Sequence, residues 1–93
     1  MSSGRRLSQQ QLQALIEAGR GNLVAAETPG SLPWDLVTLT GGRTRFPHTL
    51  VKPLADDDLV EIRIRRGQRW AHLTDAGWAR LPDDWQRKLG RAA

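Results

Sequence analysis

Arg63, Arg65, Arg66 and Arg69 place four guanidinium groups within seven residues, with no acidic side chain among them. Like charges clustered on a strand repel unless an anionic partner neutralises them. An arginine fork also donates two parallel hydrogen bonds to a phosphate or to a guanine edge, which the point charge of lysine does not. A second run holds Arg43, Arg45 and Lys52, with Thr44, His48 and Thr49 between them and again no acid. Together the stretches 43–52 and 62–73 are under a quarter of the 93 residues, yet they carry half of the 14 basic ones. The net charge of +4 is therefore concentrated on a mildly acidic remainder. The chemistry these residues suit is recognition of a polyanion. The bland readings are a solvated helix face for the first run and a charged edge hairpin that discourages strand addition for the second.

Other chemistries find little support. The chain has no Cys, which excludes disulfides and thiolate metal sites. His48 and His72 are its two histidines and make a poor metal site, so each is expected at the surface. Asp56-Asp57-Asp58 reads as a solvated turn. No phosphate-binding loop, nucleophile elbow or dinucleotide fingerprint occurs. A chain this short leaves little room for an enclosed pocket. The expectation is no enzyme, no cofactor, no metal and no small-molecule substrate. The longest apolar run, Leu23 to Ala26, predicts neither a membrane span nor a signal peptide, so a small soluble cytoplasmic protein is expected.

The elements that must position the cations follow from periodicity and capping. Ser8 and Gln11 have capping-box spacing, and Leu7 and Leu12 stand where a hydrophobic staple would. Leu12, Leu15 and Ile16 continue an apolar helical stripe until Gly19 and Gly21 end it. Leu23 to Ala26 suits a strand or a buried turn. After a turn at Thr28-Pro29-Gly30, Ser31 could cap a second short helix with Leu32, Leu36 and Leu39 on one face. Residues 37–40 also alternate like a strand. Beyond Gly41-Gly42, a third helix is predicted over about 44–55. Phe46, Leu50 and Leu54 lie on one face, and Arg45, His48 and Lys52 on the other. Pro53 predicts a kink or an early end there.

Residues 59–73 form the clearest segment, in which Val60, Ile62 and Ile64 alternate with Glu61, Arg63 and Arg65. A two-residue turn at Gly67-Gln68 would pair Ile64 with Ala71 and Ile62 with Leu73. It would set Arg65 opposite Trp70, within reach of a cation–π contact, and Arg63 opposite His72. Thr74 caps a further helix that carries Trp78 and Leu81. Pro82 interrupts it, and residues 83–89 form a last short helix closed by Gly90. Trp34, Trp78 and Trp85 are expected in the core or at an interface.

The order of these elements is similar to one known pattern. The segment Leu50-Val51-Lys52-Pro53-Leu54, a polar turn, Leu59-Val60-Glu61, a basic hairpin and then Leu73-Thr74-Asp75-Ala76-Gly77 resembles the winged helix-turn-helix domain of bacterial regulators such as the MarR and PadR families. The resemblance covers roughly residues 8–81 and lies in the order and spacing of the motifs. It implies an α+β winged helix-turn-helix fold: a three-helix core, a C-terminal β-hairpin wing and one or two further short helices. A flexible basic arm at 1–7 would precede it, and a short helix and tail at 82–93 would follow. By position, Arg43, Thr44, Arg45, His48, Thr49 and Lys52 fall on the start and exposed face of the recognition helix. Arg65, Arg66, Gln68 and Arg69 fall at the wing tip, and the basic strand adds Arg63.

The implied function is double-stranded DNA binding by a small transcriptional regulator, a repressor, acting as a homodimer. Three departures stand out: Asp58 where the family usually has Gly, Pro53 within the recognition helix, and no long dimerisation helices. A protein-contact module, such as an adaptor or a phage-encoded inhibitor, is the alternative, since winged helices are reused for both purposes.

Overall fold

The computed structural model describes residues 6–42 and 44–90; Arg43 and most of the expected basic arm, including Arg5, lie outside them. The first helix, α1 (Gln9–Gly19), starts as its sequence dictates. Ser8 Oγ accepts the Gln11 N–H at 3.1 Å, and Gln11 Oε1 accepts the Ser8 N–H at 3.0 Å. Such a cap stabilises a helix by about 1 kcal/mol. Leu15 and Ile16 then enter the core.

Strand β1 (Leu23–Ala25) follows, and β2 (Leu36–Thr38) returns antiparallel to it, with Leu23 opposite Thr38 and Ala25 opposite Leu36. The second helix considered for 31–39 is therefore absent. Ser31 Oγ donates to the Ala26 carbonyl instead of capping a helix, and Leu36 is fully buried by strand pairing. The strand alternation of Val37-Thr38 prevails over the helical spacing of Leu32, Leu36 and Leu39. Leu32 and Leu39 both stay exposed.

The third helix also starts later than its apolar stripe predicts. Arg45 and Phe46 form β3 (Arg45–Phe46) on the edge of β2, and α2 (His48–Asp56) begins only after Pro47. The residue before a proline is biased to extended backbone, which suits Phe46 to a strand. From there its ring still reaches the core. Thr44 and Arg45 consequently precede the helix. Pro53 does not end it, since α2 runs on to Asp56.

Strands β4 (Val60–Arg65) and β5 (Gln68–Leu73) form the predicted hairpin with a shifted register. The turn is Arg66-Gly67, with φ of 53° and 77°. Two successive positive φ values are what a two-residue turn of the primed type requires. Val60 thus faces Leu73, Ile62 faces Ala71, Ile64 faces Arg69, and Arg63 faces Trp70. A shift of two residues leaves every side chain on its expected face. It buries Val60 at the body end of the hairpin and leaves Ile64 near the tip 72% exposed.

Helices α3 (Asp75–Ala79) and α4 (Asp83–Lys88) complete the chain. Among the described residues the fold is α+β, with four helices and one five-stranded antiparallel sheet ordered β3-β2-β1-β5-β4. The strands lie mid-chain, and two helices follow the hairpin, so it is no C-terminal element. Leu15, Leu23, Leu36, Val51 and Leu54 form the fully buried centre. Trp34, Trp78 and Trp85 are partly buried against this core. No described helix is long and apolar enough to cross a membrane.

Candidate nucleic-acid interface

The register of the sheet sorts the charged side chains onto its two faces. One face carries Leu23, Ala25, Leu36, Phe46, Val60, Ala71 and Leu73 into the core. On the other, Glu61, Arg63 and Arg65 of β4 alternate beside Gln68, Trp70 and His72 of β5, and Val24 lies opposite Trp70. The Arg65 guanidinium stands 5.3 Å from the centroid of the Trp70 ring. The cation–π contact expected from the sequence thus forms along a diagonal, because Arg63 takes the place directly across from Trp70. At the tip, Arg65, Arg66, Gln68 and Trp70 line a cleft of about 420 Å³.

At the base of the hairpin a second cleft of about 430 Å³ is lined by Arg63, Arg65 and His72, with Arg20 and Gly21 after α1 and Asp75 and Trp78 of α3. Sequence reasoning missed Arg20 and His72 as members of this group. Nothing in the spacing joins the end of α1 to β5; the packing of α1 on β5 does. His72 Nε2 is buried without a hydrogen-bond partner. Burial, then the positive charges of Arg63 and Arg65, hold its pKa below the ordinary histidine value against an opposing pull from Glu61.

A depressed histidine pKa means that the unfolded chain takes up the proton more readily. The fold therefore loses stability as pH falls through the ordinary histidine range. NMR titration should show the His72 imidazole protonating at lower pH than a free histidine, and at higher pH once a polyanion neutralises its two arginine neighbours. An ordinary midpoint, unmoved by polyanion, would contradict this.

The remaining cations are less available. Arg63 Nη2 lies 2.7 Å from Glu61 Oε2 on its own strand. Arg69 shares the Ile64 face and lies 3.6 Å from Glu27. On α2, Lys52 is paired with Asp56 one turn later, so the exposed face of that helix carries little net charge. Thr49 is exposed beside it. His48 is half-buried and structural in its bonding: Nδ1 accepts the Trp34 N–H at 3.1 Å, and its own N–H donates to Asp35 at 2.7 Å. Arg45 lies 3.7 Å from the same Asp35 carboxylate, and the Thr44 N–H donates to Thr38 Oγ1. The two basic runs of the sequence thus differ in kind. The hairpin gathers Arg63, Arg65, Arg66 and Gln68 at one end of the fold, whereas the run from 44 to 52 is spread over a loop, a strand and a helix. Among the described residues, neither Arg65 nor Arg66 has an acidic partner.

No protein-family model, curated protein or solved structure matches this chain.

Proposed function

We propose that the chain binds double-stranded DNA through the β4–β5 hairpin and acts from there as a small transcriptional regulator, a repressor that occupies its site. The observation that carries this reading is the hairpin tip. Arg65 and Arg66 stand exposed and without acidic partners around the cleft of Trp70 and Gln68. Arg66 also holds a left-handed backbone, which costs a non-glycine residue roughly 1 kcal/mol. Asn or Gly would serve the turn better, and neither would bring a cation to its apex.

The likeness to a winged helix that supports this reading is limited to α1, then β1, then α2, then a hairpin whose β5 pairs with β1; β2 and β3 stand between β1 and α2. The missing second helix moves the weight of recognition from α2 to the hairpin. Thr49 and Lys52 of α2 become supporting contacts, and Lys52 must release Asp56 to reach a phosphate. The hairpin grips the backbone or enters the minor groove, where guanidinium groups are favoured.

The test is duplex binding by the double variant Arg65→Ala with Arg66→Asn. Both positions are exposed and Asn suits the turn, so the fold should be retained. Affinity should fall on the order of 10- to 100-fold. The slope of log affinity against log salt should become shallower by about 0.9 for each phosphate contact removed. Unchanged affinity and slope would overturn the hairpin as the contact surface. The rival reading, a protein-contact module, draws on the exposure of Leu32, Leu39 and Ile64. Absence of any gel shift with random duplex at low salt would select it.

A further inference from the structure

Strand β4 is the outermost strand of the sheet, and its outer edge carries a pattern that its turn chemistry does not require. A two-residue hairpin closes on a hydrogen-bonded pair, here Arg65 with Gln68. The alternation from that pair assigns the backbone groups of Arg65, Arg63 and Glu61 to β5. The Thr74 N–H bond to the Leu59 carbonyl continues the same alternation. The N–H and C=O groups of Val60, Ile62 and Ile64 therefore turn outward to the free edge. A row of outward groups is a template for another strand.

The side chains along this edge are self-complementary. Reversal of the strand about Ile62 exchanges Val60 with Ile64 and Glu61 with Arg63: apolar for apolar and acid for base. We propose that β4 pairs antiparallel with β4 of a second copy of this chain, centred on Ile62. In that register Ile62 faces its own counterpart, and Val60 faces Ile64 of the second copy on the core side of the joined sheets. Glu61 faces Arg63 of the second copy on the other side, twice by symmetry. Residues 60, 62 and 64 meet outward group to outward group, which supplies about six backbone hydrogen bonds. Ile64, the most exposed large apolar side chain among the described residues, is covered in the process.

Neighbouring registers with the same backbone polarity fail on charge. Centring on Glu61 sets it against itself, and centring on Arg63 does the same to Arg63; like charges directly opposite are destabilising. Edge strands usually avoid association by carrying one sign of charge or an inward charge. The alternation of Glu61 and Arg63 instead admits one register of one partner. The Glu61–Arg63 contact within each of the two chains is exchanged for one of the two such contacts between copies, so the number of ion pairs is unchanged.

A short edge ladder buries less surface than a standard stable interface, so the dimer is expected to dissociate on the order of micromolar concentration. Sedimentation analysis without nucleic acid reads the outcome independently of DNA binding. The native chain should show a concentration-dependent monomer–dimer equilibrium that weakens with salt. Glu61→Arg alone and Arg63→Glu alone each set like charges across the seam and should be monomeric. An equimolar mixture of the two variants restores opposite charges at both positions and should form a one-to-one heterodimer. Ile64→Lys, at an exposed site, should weaken the native dimer while leaving the monomer folded by circular dichroism. A native chain that is monomeric at millimolar concentration, single variants that dimerise as well as the native chain, or a mixture that stays monomeric would each overturn the proposal.

Discussion

Gly77→Ala is expected to destabilise the fold by about 3 kcal/mol or more, in the upper range for a single added methyl group. A Cβ at this position would lie 2.1 Å from the Leu59 carbonyl oxygen. That oxygen is backbone, and it already accepts the Thr74 N–H at 3.1 Å, so it has little freedom to retreat. The neighbouring contacts close the remaining routes. Thr74 Oγ1 accepts the Gly77 N–H at 3.0 Å and donates to the Asp58 carbonyl. The start of α3 is thus tied to the entrance of β4 on both sides of the intruding methyl. For a domain of this size the loss corresponds to a Tm lower by on the order of 15 °C.

Gly19→Ala makes the control. Its Cβ would meet the side-chain ends of Leu89 at 3.0 Å and Leu73 at 3.1 Å, which can swing aside. The higher helix propensity of Ala, worth about 1 kcal/mol, offsets part of that crowding. Thermal or urea unfolding of the two variants side by side checks the argument. Equal stability of Gly77→Ala and the native chain would show that the close approach of α3 to β4 is not required.

Removal of the Asp35 carboxylate should also be strongly destabilising. Asp35 is 6% exposed and lies where three segments meet. One oxygen accepts the Leu32 N–H and the other accepts the His48 N–H, both at 2.7 Å. The second bond does the work of an N-cap for α2, since Pro47 at the cap position has no side-chain oxygen to offer. Asp35→Ala leaves both donors without this acceptor, and a buried unsatisfied N–H is costly. Asp35→Asn keeps one acceptor oxygen and turns an amide N–H₂ toward the other donor, so it should rescue only part of the loss.

The backbone bonds from Leu32 and His48, and then the charge of Arg45, hold the Asp35 pKa below the ordinary carboxylate value. Stability from a depressed carboxylate is fully present above its unfolded pKa and is lost as pH falls through its folded pKa. The native Tm should accordingly decline on acidification below the ordinary aspartate range. Asp35→Asn should start lower at neutral pH and lack that part of the decline. Identical acid profiles for the two proteins would remove Asp35 from this role.

Local signals were legible wherever the nearest neighbours in sequence decide the conformation. The capping box of Ser8 and Gln11, the cap at Thr74 and the alternation through residues 60–65 formed as their spacing predicts. Asp58 takes the left-handed backbone where the resembled family has Gly, with φ of 62°. What failed were choices between two locally allowed outcomes. Residues 31–39 satisfied a helical spacing and a strand alternation at once, and pairing with β1 chose the strand. Phe46 fitted the apolar face of a helix, but Pro47 and the edge of β2 drew it into a strand. The hairpin faces were readable because side chains alternate with period two. The register was not, because a slip of two residues preserves both faces and only burial of Val60 against the body separates the alternatives.

The sequence by itself determined where the basic residues cluster and which face of the hairpin carries them, since both follow from composition and strand periodicity. Only the tertiary structure decided which cations are free to act. Neutralisation depends on partners remote in sequence or on a neighbouring turn: Arg69 meets Glu27, Arg45 meets Asp35, and Lys52 meets Asp56. Arg65 and Arg66 keep their charge unpaired because the tight turn holds them at the apex of the hairpin, beyond the reach of any described carboxylate.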